Sequence, residues 1–325
     1  MILETYEFSS CFAPYITQLI NQKHDEGFIY DSAKYILIQF DRFCLDKKYT
    51  EPLVTKELTM DWGTLREGEA RVTLGGRMSV LRQLALYMCS LGKECYIPSK
   101  FSAKSHTLAY VMSESEIQAF FHEADSYISG IDADRFNRLS MEYKVLFRFI
   151  FCCGLRVSEA RKLKLKDVDF SEKKAIIRQS KGCKDRIIFI SEDIAELCIK
   201  YLKLLRDRYG IDSELLFPAA APQKPLQAES INKKFHDFWK RTPYSGNDEK
   251  QPTVHSLRHS FVVIRMNKWM EQEESLNALM PYLSKYLGHA SVDDTFYYYH
   301  QVESAFKIIR KKDVSSSAII PITRD

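Results

Sequence analysis

Apolar residues recur at helical spacing in four segments of the first hundred residues. The second segment begins after a capping sequence at residues 31–32, the third spans Thr55–Leu65 and the fourth spans Gly75–Leu91. Along the fourth segment, the pattern predicts an apolar stripe that excludes Arg77. This part of the chain is therefore predicted to be a small helical bundle.

The helical pattern stops after Gly92, and residues 98–111 have no clear period. This segment contains a proline, several serines and two lysines, which is typical of a linker between domains. Its lysines suit a linker that crosses a phosphate backbone, although any polar linker has a similar composition. The predicted domains are residues 1–97 and residues 112–312.

The second domain opens with capping-box spacing between Ser113 and Glu116. A strongly apolar helix is predicted from Met141 to Cys152, with a break at Gly154. The fold class expected is mainly α, with an α+β second domain in which helices surround one small antiparallel β-hairpin. The hairpin strands are Lys174–Gln179 and Arg186–Ile190, and three later helices are Asp193–Tyr209, Ser230–Lys240 and Ser256–Met270.

Composition limits the number of domains and the class of protein that this chain can form. The chain has 325 residues and a hydrophobic content of 45%, which is enough for about two domains with apolar cores. It contains no apolar run long enough to span a bilayer, and its first residues are partly acidic, unlike a secretory signal. We therefore expect a cytoplasmic protein that has no membrane partner.

Cysteine spacing and net charge say little about function. Eight cysteines are scattered along the chain without the C-x-x-C spacing of a zinc site, so reduced thiols and no metal are expected. The net charge of +4 and the pI of about 8.5 slightly favour a polyanionic partner. Charge of this size does not by itself identify a nucleic-acid-binding protein.

Two arginines lie in short motifs that suit the binding of a phosphoryl group. Arg156 occurs in Gly-Leu-Arg-Val-Ser-Glu at residues 154–159, and Arg258 follows His255 by three residues on one predicted helix face. A guanidinium binds two oxygens at once and keeps its proton. Simpler explanations also exist. Arg156 with Glu159 has the spacing of a surface ion pair worth about 0.2–0.5 kcal/mol, and His-x-x-Arg is common by chance.

A lysine and a tyrosine could complete such a site. Lys181 precedes a glycine in the predicted hairpin turn, and Lys184 is its rival. A lysine held against a phosphodiester can protonate the leaving oxygen if burial lowers its pKa, but exposed turn lysines are common. Tyrosines occupy all of positions 297–299. A phenol can attack phosphorus, yet aromatic runs more often pack in a core, and successive helical residues point about 100° apart.

In this order, the arginine, lysine, histidine and tyrosine motifs resemble the tyrosine recombinase (phage integrase) family. The matches run from residue 154 to residue 300, and the likeness extends more loosely to the N-terminal domain. The family's lysine stands immediately before a glycine, which selects Lys181. The family's tyrosine stands nine residues after the histidine of a Leu-Gly-His motif, here His289, and three residues after a threonine, here Thr295. This spacing selects Tyr298.

The resemblance implies a site-specific DNA recombinase that cuts and rejoins DNA through a 3′-phosphotyrosine, without a metal or cofactor. A mobile-element integrase is favoured. Glu159 is implied to orient the site, whereas His259, which follows Arg258 directly, is expected to point elsewhere and to be structural. The implied catalytic residues are Arg156, Lys181, His255, Arg258, His289 and Tyr298.

The resemblance also implies partners and assembly. Residues 1–97 and 112–312 are expected to clamp double-stranded DNA, as a homotetramer on DNA and as a monomer or weak oligomer when free. Accessory DNA-bending proteins are a further expected partner. Residues 313–325 include an apolar stretch, and we expect this tail to be exchanged between protomers, with an unstructured tail as the alternative.

Two other functions stay open on the sequence alone. A topoisomerase of type IB chemistry would use a very similar site, although the N-terminal helical domain favours a recombinase. A non-catalytic DNA-binding protein with the same fold is disfavoured by the intact motifs. The interval between Arg258 and His289 is longer than the family pattern, and residues 267–274 are interpreted as an insertion.

Overall fold

The computed structural model describes residues 6–100, 109–128, 134–180, 184–246, 250–289 and 291–298. The chain divides into two compact units, which consist of residues 1–107 and residues 108–325. The division falls within the segment 98–111. None of the described helices is both long enough and apolar enough to cross a membrane.

The N-terminal unit is a bundle of helices in which α1 and α2 pack against α4. Its aromatic centre includes an edge-to-face contact between Phe40 and Trp62, whose ring centroids are 5.3 Å apart. Helix α4 begins four residues before the predicted start at Gly75, because a glycine within a helix is tolerated when the apolar face around it is buried. The helices are α1 Ala13–Asp25, α2 Asp31–Asp46, α3 Lys56–Trp62 and α4 Arg71–Ser90.

Arg77 lies on the buried face of α4, so the prediction that it avoids the apolar stripe was wrong. The spacing itself explains this position, since Arg77 is four residues before Leu81 and therefore shares its face. Its guanidinium donates two hydrogen bonds of 2.7 Å to the Glu69 carboxylate and lies 4.7 Å from the ring of Trp62. A paired arginine can thus occupy a position that the pattern reserves for apolar residues.

The C-terminal unit contains helices around a small antiparallel sheet of order β1-β2-β3, which confirms the predicted fold class. The predicted hairpin is formed by β2 and β3, and the two-residue strand β1 was not foreseen. The elements are α5 Glu114–Ser126, α6 Asp134–Cys153, α7 Val157–Arg161, β1 Val168–Asp169, β2 Lys174–Ser180, β3 Lys184–Phe189, α8 Glu192–Tyr209, α9 Ala228–Trp239, α10 Val254–Glu271, α11 Leu276–Leu287 and α12 Asp293–Phe296.

Helix α6 forms the centre of this unit, with α8 and α10 packed against it. It begins well before the predicted Met141, because its first turns carry polar residues that are nevertheless buried. Arg138 and Glu142 form an ion pair of 3.1 Å there, and both side chains are at most 3% exposed. The capping box of Ser113 and Glu116 at the start of α5 is confirmed.

Two helices occupy the interval between Arg258 and His289. Helix α10 continues to Glu271, so the first part of the segment 267–274 is its last turn rather than a loop. Helix α11 follows and was not predicted from the sequence. Its apolar residues bury a second core against α10, and this core contains Val262, Val263, Met266, Leu276, Met280, Leu283, Leu287 and Tyr298.

We predict that removal of the Arg77 side chain destabilises the N-terminal unit. In Arg77→Ala the Glu69 carboxylate loses its partner, and breaking a largely buried pair in this way costs at most about 3–5 kcal/mol. Urea unfolding of the full chain measures this loss. Arg71→Ala, at an exposed position of the same helix, is the control and should change the free energy of unfolding by less than about 0.5 kcal/mol. Equal effects of the two substitutions would contradict the buried pair.

Candidate active site

Arg156 is positioned by a tight turn at the end of α6. Gly154 has a φ of +60°, and a Cβ there would lie 2.5 Å from Cδ1 of Phe261, so only glycine fits. The turn places Arg156 at the N-cap of α7, where its backbone N–H donates to Glu159 Oε2 at 2.9 Å. Its side chain is 19% exposed and donates from Nη1 to Glu159 Oε1 at 2.8 Å.

Glu159 is the common partner of three arginines. Arg186, on β3, donates to both carboxylate oxygens, at 2.9 Å and 2.8 Å, in addition to the contact from Arg156. Arg258 Nη1 lies 3.8 Å from Oε2. Since the Glu159 side chain is only 5% exposed, the alternative of a surface ion pair with Arg156 is wrong.

Arg258 is 1% exposed and is held by the ends of two helices. Its Nη1 donates to the carbonyl of Gly154 at 2.8 Å, and its Nη2 donates to the carbonyl of Leu287 at 2.8 Å. Burial, followed by the charge of Arg156, lowers the pKa of Arg258 to about 10. The side chain therefore keeps its positive charge at neutral pH.

His289 follows the glycine that ends α11. Gly288 has a φ of +66°, and a Cβ there would lie 3.1 Å from Nη1 of Arg186. Arg258 Nη2 lies 3.1 Å from His289 Nε2, and because an arginine only donates, Nε2 accepts. The ring proton is then on Nδ1, which donates to Thr295 Oγ1 at 2.7 Å. Burial and the charge of Arg258 lower the pKa of His289 to about 4.

Tyr298 lies just after α12, with its side chain buried in the core between α10 and α11. Its hydroxyl is 2.6 Å from Nδ1 of His259. Burial raises the pKa of Tyr298 to about 12, although the nearby Arg258 acts in the opposite direction. Tyr297 points differently, since its hydroxyl accepts a hydrogen bond of 2.9 Å from the backbone N–H of Ala109.

His259 was expected to point away from the site, and this expectation was wrong, because its Nδ1 contacts the Tyr298 hydroxyl. The ring of His255, one turn earlier, lies edge-on to it with a centroid distance of 4.4 Å. Desolvation, with neighbouring positive charge, lowers the pKa of His255 to about 4 and that of His259 to about 3. Both are neutral at pH 7. The spacing of four residues between the two histidines was the sequence signal for their common face.

The remaining expected residue, Lys181, lies outside the described residues, while Lys184 begins β3. Sequence reasoning also missed Arg186, which it treated only as the start of a strand. Its place opposite Ile177 in the sheet could not have revealed the contact with Glu159. Among the parts of the chain that the structure describes, no group of three or more histidine, cysteine, aspartate or glutamate side chains is arranged to hold a metal ion.

The assembled site carries an excess of positive charge. Three guanidinium groups surround one carboxylate, which leaves two formal positive charges next to a neutral His289 and a buried phenol. Such a cluster suits an anionic group with several oxygens, because oxyanions are the preferred hydrogen-bond acceptors of guanidinium groups. Chemically, the arrangement can bind a phosphodiester and present a phenolic nucleophile beside it.

The lowered histidine pKa values predict a pH-dependent stability. His259 gains a proton near pH 3 when folded but near its ordinary 6.5 when unfolded, so the unfolded chain binds more protons between these values. The free energy of unfolding should therefore fall as the pH is lowered from 6.5 towards 4. His259→Asn should flatten this slope by up to about 1.4 kcal/mol per pH unit. Urea unfolding across this range measures both slopes, and identical slopes would contradict the lowered pKa.

Comparison with known proteins places this chain in a family. The family model described as "Phage integrase family" matches residues 110–304, which is more than half of the chain. A protein of Sinorhizobium fredii, y4rB, named provisionally as an integrase/recombinase, is 28% identical over 299 residues, which cover 89% of this chain and 92% of that protein.

Two solved structures have similar folds. The XerH site-specific recombinase, in a post-cleavage complex with its difH substrate, aligns with a TM-score of 0.61 and 19% identity over 87% of this chain and 79% of its own. A lambda integrase tetramer bound to a Holliday junction aligns with a TM-score of 0.57 and 16% identity over 86% of this chain and 77% of its own. With the family match, these findings show that this chain belongs to the phage integrase family of tyrosine recombinases.

Proposed function

We propose that this chain is a site-specific DNA recombinase in which Tyr298 forms a covalent bond with a DNA 3′ phosphate. The observation that supports the assignment is that residues of three separate segments meet: Arg156 and Arg258 share Glu159, and Tyr298 contacts His259, the residue after Arg258. The family to which the chain belongs supports the same reaction.

In the proposed reaction, the arginines hold the non-bridging oxygens of the scissile phosphate. Attack on phosphorus places additional negative charge on these oxygens in the five-coordinate transition state. Arg156, which is partly exposed, and Arg258, which is fixed by two carbonyls, are charged before the substrate arrives. His289 accepts a hydrogen bond from Arg258 and is proposed to complete this group by keeping that guanidinium in place. Preorganised charge of this kind lowers the barrier without reorganisation during the reaction.

The covalent step exchanges one phosphoester for another. The hydroxyl oxygen of Tyr298 bonds to phosphorus, the bond to the 5′ oxygen breaks, and Lys181 gives that oxygen its proton. His255 is proposed as the general acid/base that serves the tyrosine. Rejoining reverses these steps, and because the phosphoester energy is retained in the phosphotyrosine, neither ATP nor another cofactor is required.

The partner and the assembly are part of the same proposal. The XerH and lambda integrase structures contain DNA, and the lambda integrase structure is a tetramer. We infer that this chain also acts on double-stranded DNA as a homotetramer and is a monomer or weak oligomer when free, with residues 1–97 and 112–312 as the two arms of a clamp. Accessory DNA-bending proteins and a cytoplasmic location, which suits reduced thiols, remain further parts of the proposal.

The tail of residues 313–325 lies outside the described residues, and we propose that it docks on a neighbouring protomer. Its apolar stretch needs an apolar acceptor. An open cavity of about 1130 Å³ between β3, α10 and α11 offers one. Phe189 and Tyr282 line this cavity and are 70% and 73% exposed.

A topoisomerase of type IB chemistry is the other enzyme that would use such a site. The relative and the two structures named above are integrases or recombinases, and they favour recombination. We therefore propose integration or excision of a mobile element as the reaction.

We predict that the wild-type protein forms a covalent adduct with a nicked suicide duplex built from the inverted repeats that flank its gene. Tyr298→Phe should form none, because the nucleophilic oxygen is absent. Tyr297→Phe is the matched control and should keep the adduct, since the Tyr297 hydroxyl contacts the backbone of Ala109. Denaturing gel electrophoresis detects the adduct. Its absence from the wild type, or its presence in Tyr298→Phe, would contradict the proposed function.

Deletion of residues 314–325 should reduce assembly of several protomers on a two-site DNA, while binding of a single protomer is retained. Phe189→Ser combined with Tyr282→Ser should have the same effect, because it removes the apolar acceptor. Ile128→Ser, at an apolar position that is 82% exposed and outside the cavity, is the control. Native gel shifts separate the assembled species, and unchanged assembly by the deletion variant would remove the docking proposal.

A further inference from the structure

The hydroxyl of Tyr298 has a specific partner that the roles described so far leave unused. Nδ1 of His259 lies 2.6 Å from this oxygen, and the two rings are tilted by 46° with centroids 5.4 Å apart. The contact joins α10 to the segment after α12, across 39 positions of the sequence. A separation this short is a hydrogen bond rather than a packing contact.

Arg258 and His259, which are adjacent on α10, point to two different parts of the site. Arg258 points to the carbonyls of Gly154 and Leu287, where it belongs to the charged cluster. His259 is one residue further along and therefore points about 100° away, towards Tyr298. The same turn of helix thus presents a cation to the phosphate site and a ring nitrogen to the nucleophile.

Nδ1 of His259 is in position to accept the phenolic hydrogen at neutral pH. Desolvation, followed by the influence of neighbouring groups, lowers the pKa of His259 to about 3, so its ring is neutral. A neutral ring whose Nε2 carries the proton accepts the phenolic O–H at Nδ1. The titratable and charged groups that act on His259 are His255, Arg258, Lys250, His289 and Tyr298.

We propose that His259, rather than His255, is the catalytic residue whose Nδ1 takes the phenolic proton of Tyr298 while the tyrosine attacks the scissile phosphodiester. The inference rests on the proposed function and deepens it. In this step the O–H bond of Tyr298 breaks and an N–H bond forms on His259. At the same time the tyrosine oxygen bonds to phosphorus and the 5′ oxygen leaves with a proton from Lys181. Rejoining returns the proton from His259 to Tyr298.

The proton passes from Tyr298 to His259 during the attack on the phosphodiester and not in the protein without substrate. Burial keeps the phenol protonated before substrate binds, because it raises the pKa of Tyr298 to about 12. As the oxygen bonds to phosphorus it loses electron density and its proton becomes strongly acidic, so a weak neutral base is sufficient. A bound phosphate also offsets the positive charge around His259. The ring of His255 packs edge-on against that of His259.

A modified substrate distinguishes a residue that acts on the nucleophile from one that acts on the leaving group. A suicide duplex with a 5′-bridging phosphorothiolate has a sulfur leaving group that needs no proton. On the ordinary duplex, His259→Ala and Lys181→Ala should both slow single-turnover adduct formation by roughly 10²–10⁴-fold. On the phosphorothiolate duplex, Lys181→Ala should recover while His259→Ala stays slow. Recovery of His259→Ala would place His259 at the leaving group and overturn the proposal.

His259→Asn distinguishes proton transfer from simple positioning, because its amide keeps a polar atom near the place of Nδ1. It should remain slow, and its rate should rise about tenfold per pH unit between about pH 6 and 9, as the fraction of ionised Tyr298 rises. The wild-type rate should change much less. A wild-type rate and pH profile in His259→Asn would overturn the proposal, and so would faster cleavage by His259→Ala, which would mean that the contact restrains the tyrosine.

Controls keep folding and function apart. Native gel shifts and thermal unfolding establish that each variant is folded and binds the duplex, and His122→Ala, at an exposed position of α5, provides the matched histidine substitution. If the wild type forms no adduct, the proposed function itself fails. If the wild type and His122→Ala react and His259→Ala reacts equally fast, only the role of His259 fails.

Discussion

The carboxylate of Glu159 is the interaction on which the rest of the site depends. Arg156 and Arg186 donate to it directly, and Arg258 lies within 4 Å. Without this negative charge, three guanidinium groups would repel one another where little water is available to screen them. The carboxylate offsets one charge and leaves two. A single buried acid therefore both holds the cations together and preserves an attraction for an anionic substrate.

The ends of two helices are the second feature on which the geometry of the site depends. The carbonyl of Gly154 comes just after α6, and the carbonyl of Leu287 is the last of α11. At such helix ends the backbone oxygens lack helical partners and carry partial negative charge. Arg258 satisfies both of these carbonyls and so ties the ends of two helices to α10. Both turns need glycine, since Gly154 and Gly288 have positive φ and close neighbours. The glycine turns that end the two helices therefore also set the direction of the side chains proposed to act in catalysis.

The spacing of apolar residues predicted the bounds of several helices reliably. Helices α8 and α10 begin and end within two residues of their predicted bounds. The buried face of α8 is apolar, whereas α10 buries Ser256, Arg258 and Ser260 among its apolar residues. The pattern failed where polar residues are buried in pairs. Arg77 was placed outside the bundle core and the start of α6 around Arg138 was missed, since an ion pair can replace apolar contacts at a buried position. Helix α11 was not predicted, and it contains Pro281, a residue that usually ends or kinks a helix.

Apolar periodicity by itself determined the mainly helical fold class, and the order and spacing of the motifs determined the family resemblance, which implies Tyr298 among three tyrosines. Only the tertiary structure decided which groups satisfy one another. Glu159 meets Arg186 from a strand 27 positions later, and Tyr298 meets His259 from 39 positions away. Periodicity reports which face of one element is buried, whereas a hydrogen bond needs two atoms within about 3 Å. That approach is set by the packing of distant elements, which no local pattern contains.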